Sequence, residues 1–147
     1  MRRVVLPVHP SWVHDGWIAW MLALYSRIVP VNETLIKYRV HTTQQIGLKP
    51  TTFSGRALHS KQTTREDYLL LAGRVEALRR RWLDSPGEDH FARLRDFDGK
   101  IALLQLRADL PRPRLQRLQP VLRAARAYRL YAEGWQSIAK DLLLPRT

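Results

Sequence analysis

The chain has no cysteine, which excludes a disulfide framework and any thiolate metal site and leaves the redox compartment undetermined. Negative charge is scarce. Thirteen Asp and Glu face twenty-five Lys and Arg, giving a formal net charge of +12. Lysine is scarce as well, since twenty of those basic residues are arginine. Arginine grips phosphate or carboxylate at two points, so the surplus directs attention to nucleic acid, an anionic membrane surface or a phosphorylated small molecule. Long apolar runs are also missing. The longest, Trp17 to Tyr25, is less than half of the roughly 20 residues a bilayer span needs. The N-terminal arginines are followed only by Val4, Val5 and Leu6 before Pro7, too little for the apolar segment of a secretion signal.

What is present suits a packed core: 45% of the 147 residues are hydrophobic, enough for a globular chain of one-domain size. Character changes near Gly47. Before it, aromatic and β-branched residues dominate; after it, leucine and arginine do. Two units are expected, residues 1–50 and 51–147.

In the first unit, Asp15 is placed to cap a helix over Gly16 to Ser26, since a side-chain oxygen there accepts from amides of the first turn. Apolar residues surround this helix almost completely, which predicts burial. "RIVPV", residues 27–31, and "TLIKYRV", residues 34–40, have the β-branched content of short strands around a turn-forming "NE", with Pro30 marking an edge. Residues 41–55 read as a polar loop. The second unit reads as helices. Thr64 to Leu83 sets Tyr68, Leu69, Ala72, Val75, Leu78 and Trp82 at helical spacing and stops at "DSPG". Asp89 to Ala108 repeats the pattern with Phe91, Leu94, Phe97, Ile101 and Leu104. "LPRPRLQRLQP" punctuates, and Val121 to Leu144 forms a last helix weakened at Gly134. The fold class expected is therefore α+β, mostly α: a buried helix and short strands, then about three amphipathic helices.

The residues that invite chemistry are His14 and Asp15, a polar pair set against "WIAWMLALY". On spacing alone two readings stand: an ordinary helix cap, or an acid–base site at a pocket mouth with Trp12 and Trp17 beside it. His41, after the second strand, is likewise structural or a metal ligand.

The order "LP…HDGW", a short apolar helix, "IVPVNETLIKYRVH" and "QQIG" resembles the C-terminal part of the catalytic domain of family 2 glycosyltransferases, inverting sugar-nucleotide transferases of the GT-A fold, over residues 5 to 47. The resemblance implies that residues 1–50 are the acceptor-side part of such a domain and 51–147 a basic helical tail. It makes Asp15 the catalytic base that takes the proton of the acceptor hydroxyl. His41 would contact a divalent metal, Mg²⁺ or Mn²⁺, or the diphosphate leaving group. Arg39 would offset phosphate charge, Trp17 would stack on a sugar face, and His14, Gln44 and Gln45 would line the substrate site. Two departures accompany it. The loop reads "HTTQQIG" where the family more often has "HGxNxxG", and no Asp-x-Asp precedes Asp15 to hold the metal between the donor phosphates. "DFD", residues 96–98, has the letters but sits in an amphipathic helix with Phe97 inward.

The chain is thus expected to be a partial transferase, inactive alone: a truncated frame, a fragment, or a subunit completed by a partner chain carrying the nucleotide-binding half. Its substrates would be a nucleotide-sugar donor and a glycan or lipid-linked acceptor of cell-envelope synthesis. It would be cytoplasmic, or peripheral at the inner face of the membrane through the arginines of its tail. The competing classes are a basic nucleic-acid-binding module, for which no recognition motif is present, and a non-catalytic interaction module.

Overall fold

A computed structural model describes residues 5–35, 64–84 and 90–144. Among them the chain forms six helices: α1 His14–Tyr25, α2 Arg65–Leu83, α3 His90–Ala108, α4 Arg114–Arg123, α5 Ala125–Tyr131 and α6 Trp135–Leu143. No strand occurs among the described residues, which corrects the α+β expectation and with it the GT-A fold, a buried helix with short strands, that the resemblance implies for residues 1–50. Residues 27–31 carry no sheet pairing, and Ile28, Val29 and Val31 are exposed. A β-branched run is a strand only where a partner accepts its backbone bonds and covers one face. Here neither is supplied, and Pro30 removes a donor besides. Most of the second expected strand, residues 36–40, lies outside the described residues.

Helix α2 begins with a capping box. The Thr64 hydroxyl accepts from the Asp67 amide at 3.2 Å, and the Asp67 carboxylate accepts from the Thr64 amide at 2.8 Å, satisfying two donors that a helix start otherwise leaves open. These bonds, the Thr64 amide first and its hydroxyl second, hold the Asp67 carboxyl below its ordinary 3.8. The contribution is therefore present above the unfolded-state value and is lost as pH falls through the lowered one. Amide chemical shifts over 64–68 should titrate with a midpoint below 3.8; a midpoint at or above it would mean the box is open in solution.

Helices α2 and α3 run antiparallel, as the ion pairs Arg65–Asp109 and Arg79–Asp98 require. Their facing sides contribute Leu78, Trp82 and Phe97 to one core cluster and Tyr68, Ala72, Leu104 and Ala108 to a second. Helix α1 completes the first cluster with Trp17, Met21 and Leu24, spaced four and three residues apart on one stripe. Burial all round α1 is not observed: Ile18 and Trp20 face outward. An almost uniformly apolar run carries no directional signal, so its pattern could not tell the inner face from the outer.

The last expected helix, Val121 to Leu144, is instead the end of α4 followed by α5 and α6. Gly134, at φ 58°, takes a backbone conformation that a Cβ resists and separates α5 from α6. Helix α4 arises inside the segment read as punctuation, with Pro113 at its N-cap and Pro120 within it. Pro113 leads into the helix, where a missing N–H has no intrahelical acceptor to lose, whereas Pro120 gives up the bond to the Gln116 carbonyl shortly before the helix ends at Arg123. Helices α4 and α5 enclose a third cluster of Leu103, Leu110, Val121 and Tyr128. No helix among the described residues is long and apolar enough to cross a membrane.

Candidate functional site

The entry to α1 is built by a turn. The Trp12 amide donates to the His9 carbonyl at 2.9 Å, and the His9 ring is bonded to the Ser11 hydroxyl at 2.8 Å. The helix then starts two residues before the expected point, with Val13 as N-cap and no side-chain cap bond. Asp15 lies inside the first turn, exposed, its Oδ1 accepting from the Gly16 amide at 2.7 Å. His14 is exposed beside it.

This turn is tied to the bundle beneath. The Trp12 indole donates to the Arg74 carbonyl at 3.0 Å, and Arg74 Nε donates to the Ser11 carbonyl at 2.7 Å. Trp17, only 2% exposed, donates its indole N–H to the Val5 carbonyl at 2.7 Å and lies among core residues. Arg39, His41, Gln44 and Gln45 lie outside the described residues, so Asp15, His14 and Trp17 are the site residues whose placement is described.

A separate cavity of about 290 Å³ opens between α1, α2, α3 and α5, near the lower end of small-ligand sites. Leu24, Val75, Leu78 and Phe97 form its apolar wall. Its polar groups largely bond to one another. The Tyr131 hydroxyl donates to Asp96 Oδ1 at 3.3 Å, and Lys100 Nζ donates to the Tyr131 carbonyl. Burial, and then the charge of Arg107, push the Lys100 ammonium below its ordinary value; burial, followed by the Asp96 charge, pushes the Tyr131 phenol up. Gly99 makes the arrangement possible, because a Cβ there would overlap the Tyr131 ring. Gly99→Ala should therefore displace Tyr131 and destabilise the fold by about 1–3 kcal/mol, despite alanine's better helix propensity. Urea denaturation checks this; an unchanged or higher midpoint would show that Tyr131 does not rest on α3.

Sequence reasoning missed a third constellation. Asp141, 3% exposed, accepts from Arg107 Nε at 2.7 Å and from the Tyr128 hydroxyl at 2.7 Å. The Arg107 guanidinium lies 4.7 Å from the Tyr68 ring centroid and 5.7 Å from that of Tyr128, within cation–π range. Arg117, 1% exposed, donates to the carbonyls of Pro111, Arg112, Asp141 and Leu144, placing a cation at the C-terminal end of α6. A signal existed for Asp141, a charge standing with Ile138 and Leu142 at helical spacing, but none for Arg117, because the leucines of its helix, Leu115, Leu118 and Leu122, mark another face. Closed to solvent, this network organises the bundle and offers no reacting group to a substrate. No protein-family model, curated protein or solved structure matches the chain.

Proposed function

We propose that the chain carries acceptor-side residues of an inverting sugar-nucleotide transferase, with Asp15 as the base that deprotonates the acceptor hydroxyl. The observation that carries this reading is the combination at α1 of an exposed carboxylate and a buried support. A base must be ionised and held within hydrogen-bond reach of the hydroxyl. The first turn of a helix favours a carboxylate's charge, while Trp17, Met21 and Leu24 anchor the same helix. Trp17 acts as that anchor and not as the sugar-stacking ring that the resemblance implies, since its ring is buried and its N–H is already bonded.

The reading rests on this helix and the motif order, not on a sheet. His41 as metal or diphosphate contact, Arg39 as phosphate partner, and His14, Gln44 and Gln45 near the acceptor complete it. In this reading a partner half holds the nucleotide and its Mg²⁺ or Mn²⁺, since no Asp-x-Asp precedes Asp15. Exposed Ile28, Val29, Val31 and Leu35 offer apolar surface to such a half. The test is reconstitution: the chain alone, and then joined to a nucleotide-binding half encoded upstream, is assayed for sugar-nucleotide turnover. Turnover is expected only from the joined protein. Transfer by the chain alone, or none from a folded, donor-binding joined protein, would overturn the proposal.

A further inference from the structure

Helix α4 is turned inside out. Arg117 and Val121 face inward at 1% and 0% exposure, whereas Leu115, Leu118 and Leu122 stand 81%, 42% and 62% exposed. The Arg117 bonds to four carbonyls fix this register, and the register forces positions 115, 118 and 122 outward. It does not require leucine there. Any polar residue would serve a solvated face, so the leucines call for a partner of their own. At 3.6 residues per turn they occupy about 60° of arc, with exposed Arg114 and Arg123 on either side.

The charge around the stripe selects among partners. From Leu110 to Ala132 there is no Asp or Glu, and Arg112, Arg114, Arg123, Arg126 and Arg129 are all exposed. A second copy would set like-charged rims against each other. The stripe is also short, roughly 10 Å along the axis, whereas a specific protein interface covers about 800 Å² per partner. A bilayer surface needs only a shallow apolar ridge at the acyl boundary with cations at headgroup level. We infer that α4 docks the chain on an anionic lipid surface, Leu115, Leu118 and Leu122 entering the interface and the surrounding arginines contacting phosphate headgroups. Nothing in this inference depends on the transferase reading.

Sedimentation of the full chain with vesicles of phosphatidylcholine, alone or mixed with phosphatidylglycerol, tests it. Binding should require the anionic lipid. Replacing Leu115, Leu118 and Leu122 together with serine should weaken it about tenfold or more, and Arg114→Gln or Arg123→Gln about fivefold each. Leu70→Ser, an exposed leucine on α2, should leave it unchanged, and circular dichroism confirms that each variant is folded. Wild-type affinity in the folded triple-leucine variant would overturn the inference, as would equal binding to both vesicle types. So would binding to duplex DNA as strong as to vesicles and indifferent to the leucines, which would make the face a general polyanion surface. Concentration-dependent dimerisation abolished by the leucine changes without lipid would overturn it too, by making the stripe a contact between copies.

Discussion

Arg107→Ala should come close to unfolding the protein. Its guanidinium and the Asp141 carboxylate are 10% and 3% exposed and meet at 2.7 Å, so removing the arginine takes the close cation from a carboxylate in the core to which the Tyr128 hydroxyl still donates. Breaking a buried pair from one side costs about 3–5 kcal/mol. That is a large share of the roughly 5–15 kcal/mol that holds a domain folded. The loss should not be confined to one helix, because Arg107 is on α3, Tyr128 on α5 and Asp141 on α6. Removing both charges together, as Arg107→Leu with Asp141→Leu, should cost less than Arg107→Ala alone, since an apolar pair leaves no stranded ion. Urea denaturation followed by circular dichroism decides the matter. If Arg107→Ala moves the folding free energy by less than about 1 kcal/mol, the pair does not carry the α3–α6 junction.

The same network marks where sequence reading ended. Helix α2 was legible nearly to the residue because its apolar spacing and the "DSPG" stop are local signals acting on neighbouring backbone. Helix α1 was legible as a helix but not in its start, since the turn over 9–12 moved the N-cap from Asp15 to Val13. The strand expected over 27–31 failed for a different reason: β-branched content reports fitness for a pleated surface, and whether that surface exists is decided elsewhere in the chain. Helix α4 was hidden twice, by prolines read as breakers and by the assumption that arginine faces water. An arginine with four carbonyl acceptors is as satisfied inside as outside, and only the tertiary fold brings those carbonyls together. At the candidate site, the His14–Asp15 pair could be read directly. Its support could not, because the Arg74 and Val5 carbonyls that hold the two indoles are chosen by packing.

On the transferase proposal, the largest single effect belongs to Asp15. In the joined protein Asp15→Asn should lower transfer by about 10²–10⁴-fold, the usual worth of a positioned general base. The substitution is nearly isosteric. An asparagine oxygen can still accept from the Gly16 amide as Asp15 Oδ1 does at 2.7 Å. The anchoring residues Trp17, Met21 and Leu24 are untouched, so thermal stability should scarcely change. Donor affinity should also hold, because the proposed partner of Asp15 is the acceptor hydroxyl. His41→Ala should differ, weakening metal-dependent donor binding together with turnover, since its proposed partner is the metal or the diphosphate. Measuring donor affinity and turnover for both variants separates a base from a ligand and either one from a structural residue. Transfer within a few-fold of wild type in Asp15→Asn would leave the carboxylate as a first-turn residue stabilising α1, and the transferase reading would lose the group on which its chemistry depends.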